Sequence, residues 1–378
     1  MRNSTRDSIE AALRGHDADY VELRLEEGEA TRLVYRGKEL EDLGRTTFRG
    51  GNVRALVKGG WGFATFNEVE DLRARVEMAV QQARLVGHEE SHFAEVEPIV
   101  DIVEPYLLMD PYTVSLSHKK ELLDAYNDII LSTPGVQTSQ VVYRDLRRRV
   151  TLATSQGTYI EQGKVDVVAR FTAIARKDGD VQQASISTGR VGDFAFLEGL
   201  HEEVRKISRN AVDLLTAANV RAGEYPVVLD PILAGVFAHE AFGHLSEADH
   251  IYENPHLREL MTLGRRFGGP HLNIADGAAI PGLRGSYKYD DEGVPATETH
   301  LIREGVLVGR LHSRETAAKM GERLTGNARA INYRHEPIVR MTNTYIGPGQ
   351  ATLEDILSDI KEGVYAQDWY GGTTSMEM

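Results

Sequence analysis

Apolar and polar residues alternate along Tyr20-Val21-Glu22-Leu23-Arg24-Leu25 and again along Thr31-Arg32-Leu33-Val34-Tyr35, a period of two that predicts strands with one wet face. A helix-like stretch over 5–13 precedes them. A further strand is predicted over 52–57, ending at the Gly59-Gly60-Trp61-Gly62 turn. Asn67 stands where an N-cap is expected, and Val69, Leu72, Val76, Met78, Ala79 and Ala83 then recur at helical spacing to about Val86. Pro98, Pro105 and Pro111 mark an extended connector, because each proline fixes its own φ and biases its predecessor away from helix. After it the order repeats, with a helix over 117–131, strands over 137–143, 148–154, 158–162, 165–176 and 181–188, and a helix over 197–217.

From Glu224 the texture changes. A short apolar strand over 225–229 feeds Asp230-Pro231, a cap followed by a proline that predicts a helix start. The run Ile232-Leu233-Ala234-Gly235-Val236-Phe237-Ala238 predicts that this helix is buried. Loop-rich sequence over 250–284, a hairpin around Glu304-Gly305, a strand over 337–345 and a helix capped at Thr352 follow. The expected class is α+β. Antiparallel strand meanders flanked by helices occupy 1–220, with a sub-boundary near 93–113, and a β-rich domain around the buried helix occupies 221–378.

Charge and composition narrow the function. With 43 basic and 57 acidic side chains the formal charge is −14, which opposes the approach of nucleic acid. The basic run Arg147-Arg148-Arg149 is expected to be a solvated strand edge. There is no cysteine, so disulfides, thiol nucleophiles and cysteine metal sites are excluded within this chain, and a reducing compartment fits. Residues 1–10 lack the apolar run of a secretory signal, and no stretch approaches the roughly 18 apolar residues of a membrane span. A cytoplasmic protein without membrane or nucleic-acid partners is expected.

Eight of the 13 histidines lie between His239 and His335. Within the Asp230 helix stands His239-Glu240-Ala241-Phe242-Gly243-His244, followed by Glu247, Asp249 and His250. Two imidazoles with a carboxylate beside the first are the parts of a metal-hydrolysis site. Zinc peptidases usually space such histidines by four, and five positions rotate the second ring about 140° from the first on a straight helix. A π-type widening, or a break at Gly243, would bring the rings back together. Glu240 would then lie beside the metal, able to take a proton from bound water. Asp290-Asp291-Glu292-Gly293 is expected to be a turn, because it lacks the alternating oxygen ligands of a calcium loop. No phosphate-binding loop, dinucleotide fingerprint or serine-hydrolase elbow is present.

The His239–His244 segment with Glu247 resembles the HEAxGHxxE signature of the TldD/PmbA family of metallopeptidases. Gly285 to Gly293, Leu301 to Leu307, Thr325-Gly326-Asn327 and Arg340-Met341-Thr342-Asn343-Thr344 resemble the blocks that follow it in TldD-type chains. Val53-Arg54 and Gly60 to Ala64 are similar to the family's first domain. The resemblance implies a cytosolic zinc-dependent peptidase acting on unfolded or extended peptides, as a homodimer or as a dimer with a PmbA-like chain. It makes His239 and His244 metal ligands for one Zn2+ per chain, with iron as the other candidate, and Glu240 the general base. TldD-like chains continue beyond the point where this one stops and supply a cysteine there as third ligand. The present sequence ends at Met378 without one, its last residues 371–378 having the look of an interrupted domain. The resemblance therefore implies either a shortened chain or a third ligand among Glu247, Asp249, His250 and the downstream histidines. The alternative expectation is a non-catalytic peptide-binding or assembly subunit that keeps the helix as structure.

Overall fold

The computed structural model describes residues 2–369; the run 371–378 lies outside them. Helix α1 (Arg2–Ala12) is followed by β1 (Tyr20–Arg36), β2 (Glu39–Val57), β3 (Gly60–Phe66) and α2 (Leu72–Val86). The connector carries β4 (Val100–Val103) and leads to α3 (Leu116–Ser132), β5 (Val136–Thr154), β6 (Tyr159–Lys177), β7 (Asp180–Val191) and α4 (His201–Asp213). The class is α+β, and helix–meander–helix does occur twice. Both meanders join one antiparallel sheet in the order β3-β2-β1-β5-β6, with β4 and β7 sharing the far side of β6. The connector over 93–113 thus separates two helical layers on a continuous sheet.

Strands predicted in pieces are single long ones. Gly28 interrupts the alternation in β1 without breaking it, because the chain passes too close for any side chain there: a Cβ would lie 2.4 Å from the Arg147 carbonyl oxygen and 2.7 Å from the Phe48 ring. The Arg147-Arg148-Arg149 run is not a solvated edge. It lies in β5, which is paired on both sides, and its guanidiniums meet Asp110, Glu26, Glu104 and Glu161. Asn67 does not cap α2. Asp71 does, accepting from Ala74 N, while Asn67 Oδ1 accepts from the Tyr333 hydroxyl.

Alternation along β1 explains the layering. Val21 and Leu23 enter a core under α1 and α2 with Val53, Ala55 and Val76, and Leu33 and Tyr35 enter a second core under α3 and α4 with Tyr126, Tyr143 and Phe171. The intervening positions face the other way and carry charge. Arg24 pairs with Asp291 at 2.8 Å, and Arg54 pairs with both Glu22 and Glu292 at 2.8 and 2.7 Å. Of these partners Asp291 and Glu292 lie in the second half of the chain. The other Glu292 oxygen accepts from Arg314 N at 2.7 Å, and the buried Arg314 side chain reaches back to the Ala94 carbonyl and Gln156.

The second half comprises β8 (Val227–Leu229), α5 (Pro231–Ala238), α6 (Ala248–Glu253), α7 (Pro255–Leu260), β9 (Ile274–Gly277), β10 (Glu298–Arg303), β11 (Val306–Leu307), α8 (Arg314–Met320), β12 (Ala328–Arg329), β13 (Ile338–Val339), β14 (Thr344–Ile346), α9 (Leu353–Ser358) and β15 (Val364–Ala366). A four-stranded sheet runs β11-β10-β9-β14. Residues 290–293 form the expected turn: Asp290 accepts from the backbone N–H groups of Glu292, Val294 and Ala328, and Asp291 from Ala330 N. The strand expected over 337–345 is broken into β13 and β14, because Asp276 draws Thr342 out of line through its N–H and hydroxyl, at 2.8 and 2.6 Å.

A buried charge pair stripped of one partner typically costs several kcal/mol. Replacing Glu292 by Ala should therefore destabilise the chain by about 3 kcal/mol in urea denaturation, since both Arg54 and Arg314 N lose an acceptor. A change under about 1 kcal/mol would show that the two halves are not held together at this turn.

Candidate metal centre

Helix α5 starts as the sequence predicts, with Asp230 Oδ1 accepting from Leu233 N at 2.9 Å and Pro231 in the first turn. Its expected burial is not met. Ile232 and Phe237 are 69% and 54% exposed, and among its residues Ala238 alone is fully enclosed. Apolar composition predicted burial, but no described element covers the outward face of this helix.

At its end the helix widens. Residues His239–Gly243 form a π-turn in which His244 N donates to the His239 carbonyl, five residues back. Of the two ways of reuniting the rings, the structure takes the first. The imidazole centroids lie 4.7 Å apart at an interplanar angle of 77°. Donor atoms of His239, Glu240 and His244 all fall within 4.8 Å of one another, the three side chains being half-buried. Gly243 serves by being small rather than by an unusual φ. Its φ is −62°, and a Cβ there would sit 2.0 Å from Met341 Sδ.

The widened turn is clamped from below. A 3-10 turn (His244–Ser246) follows, then Glu247 in extended conformation, and Leu311 pairs with this segment through Leu311 N to Ser246 O and Ala248 N to Leu311 O, at 2.8 and 3.0 Å. Glu247 is completely buried, with Oε2 3.1 Å from His244 Nδ1 and 3.6 Å from His250 Nε2, and Oε1 3.5 Å from an Arg340 nitrogen. A carboxylate on Nδ1 leaves Nε2 of His244 as the nitrogen with a free lone pair. Burial raises the Glu247 pKa, against the hydrogen bond from His244 and the charge of Arg340. Burial lowers that of His239, helped by His244 and opposed by Glu240. A neutral His239 is the form that ligates.

Two imidazole nitrogens converging beside a carboxylate suit zinc or iron, both of which take imidazole ligands. Among the described residues this is the one group of three or more His, Asp or Glu side chains that could hold such an ion. Four of the alternatives for a third ligand are engaged by other groups. Glu247 faces His244 and Arg340, Asp249 accepts from Val339 N and His250 N, His300 lies 3.6 Å from Glu298, and His312 bonds Glu322 and Thr316. Sequence reasoning counted Glu247 only as a candidate third ligand, not as the partner of His244 Nδ1, and missed Asp276 and Arg340. The Arg340–Thr344 block was visible, but the contacts that give it meaning run to β9 and Glu247, far away in sequence.

Three family models cover most of the chain: PmbA/TldA metallopeptidase domain 1 over residues 21–84, the central domain over 110–218 and the C-terminal domain over 222–377. A metalloprotease of Synechocystis sp. is 50% identical over 363 residues, 96% of this chain and 78% of the relative. A zinc metalloprotease TldD homolog of Saccharolobus solfataricus is 33% identical over 244 residues, 64% of this chain and 54% of the relative. The crystal structure of TldE from Thermococcus kodakarensis shares the fold, with a TM-score of 0.73 at 19% identity over 98% of this chain and 83% of that one.

Replacing Gly243 by Ala forces its methyl group onto Met341 Sδ and should cost about 1–3 kcal/mol, with weakened metal affinity because the π-turn must shift. Adding Met341→Ala should relieve the clash, so that thermal unfolding and metal titration of the two single variants and the double give non-additive effects. Strict additivity would mean that the turn does not rest on Met341.

Proposed function

The chain belongs to the PmbA/TldA metallopeptidase family, and from that premise we propose that it hydrolyses peptide bonds in unfolded or extended peptides, with His239 and His244 holding one zinc ion and Glu240 moving the proton. The observation that carries this reading is the π-turn, which gathers the donors of all three residues. When bound there, the cation supplies Lewis acidity toward a carbonyl oxygen and toward water.

The protein's own groups do the rest. His239, kept neutral by burial, presents a lone pair, and Glu247 holds the His244 ring by Nδ1. The Glu240 carboxylate takes a proton from the attacking water and delivers it to the amine that leaves. Strand β14 terminates its sheet beside α5 and the π-turn. An extended substrate adding to that edge would be held by its main chain, which supports broad sequence tolerance. In this reading 1–220 is the scaffold and 221–378 carries the site. Assembly with a second copy or with a PmbA-like chain is supported by the resemblance and by the fold shared with TldE. Cytosolic residence is supported by the resemblance and by the lack of cysteine.

Changing Glu240 to Gln should leave bound zinc unchanged and lower turnover of a quenched-fluorescent extended peptide at least about 100-fold. Retained turnover would overturn the assignment of Glu240. If the unaltered, zinc-loaded chain binds the peptide without cutting it, the non-catalytic subunit is the better reading.

A further inference from the structure

Residues 339–341 run beneath the π-turn with alternating direction. Val339 and Met341 are buried, Met341 against Gly243, and Arg340 between them turns the other way, its side chain 36% exposed. Its backbone is pinned on both sides by Asn327: Arg340 N donates to the Asn327 carbonyl at 2.9 Å, and Asn327 Nδ2 donates to the Arg340 carbonyl at 3.1 Å. A side chain on so fixed a base is placed rather than loose. Among the described residues its guanidinium has one ionic partner, Glu247 Oε1, at 3.5 Å. That contact is too long and poorly aligned to be a hydrogen bond, and the buried Oε1 atom has no hydrogen-bond partner.

A permanent cation beside residues that gather to bind a dication carries an electrostatic cost, because like charges repel across a half-buried site. Glu247 offsets part of that cost. It leaves most of the five N–H donors of a planar fork available, in a geometry that matches a carboxylate. The protein as a whole carries −14 and so repels anionic peptides, and a local cation at the site is what would admit one.

We propose that Arg340 is a carboxylate-binding residue of the substrate site. Its guanidinium receives a planar carboxylate of the bound peptide, either the C-terminus or an Asp or Glu side chain, and thereby sets which bond lies against Glu240. The proposal rests on the peptidase reading above and deepens it by naming the substrate's anchor.

The test uses the zinc-loaded chain carrying Glu240→Gln, which binds without cutting, and three fluorescent peptides of one neutral sequence: C-terminal amide, C-terminal free acid, and amide with one Glu. Fluorescence anisotropy should show at least tenfold tighter binding of a carboxylate peptide than of the plain amide. Preference for the free acid assigns the terminus, and preference for the Glu peptide assigns a side chain. Adding Arg340→Gln should abolish the preference while leaving plain-amide binding and zinc content unchanged, and Arg340→Lys should restore it in part, having charge without the fork. Equal affinity for all three peptides, or an equal loss for all three in Arg340→Gln, overturns the proposal. Turnover of the same peptides by the chain with Glu240 intact separates the two readings. Cleavage without carboxylate preference removes only the role of Arg340, whereas carboxylate-dependent binding without cleavage removes only the hydrolysis.

Discussion

One main-chain hydrogen bond, from the His244 N–H to the His239 carbonyl, determines whether two histidines five residues apart share a face. In a regular α-helix that N–H would reach back four residues, and the rings would diverge. Widening by one residue turns an apolar helix end into a cluster of two imidazoles and a carboxylate. The widened turn is unfavourable on its own, as isolated π-turns are, and survives where neighbours over-determine it. Here Met341 fills the space that a side chain at 243 would need, and Leu311 pairs with the residues that follow.

These neighbours are in turn held by carboxylates with full sets of partners. Asp276 binds Asn327, Thr342 and Thr344, and so locates the segment bearing Arg340 and Met341. Asp290, Asp291 and Glu292 bind the backbone of 328–330 and the arginines of β1 and β2. Buried charge of this kind contributes little net stability, because desolvation consumes most of the Coulombic gain. Its effect is positional. The long first sheet serves as the rigid back against which the site-bearing half is registered.

Period-two patterning located the strands but not their lengths: it left 26–30 and 144–147 outside the predicted strands, where cross-strand pairing in fact runs on through Gly28 and Arg147. The Asp230-Pro231 start, the Glu304-Gly305 hairpin and the Thr352 cap were legible because each is a local device within a few residues. Asn67 misled because Asp71 offers the same cap chemistry four residues later, and Tyr333 claims Asn67 from the other half of the chain. At the site, spacing alone posed the correct question and left two answers open. Only the packing of Met341 against Gly243 shows why the π-turn is the one adopted. Glu247 and Arg340 were opaque for a related reason: a buried carboxylate is defined by what surrounds it, and those groups come from separate segments.

The most direct test of this account is metal-edge X-ray absorption on the zinc-loaded chain. Two imidazole nitrogens at about 2.0–2.1 Å, falling to one in His244→Ala, are predicted if the π-turn aims both rings at one ion. One imidazole or none in the unaltered chain would contradict it, and would mean that the turn joins the rings in space without making them a site.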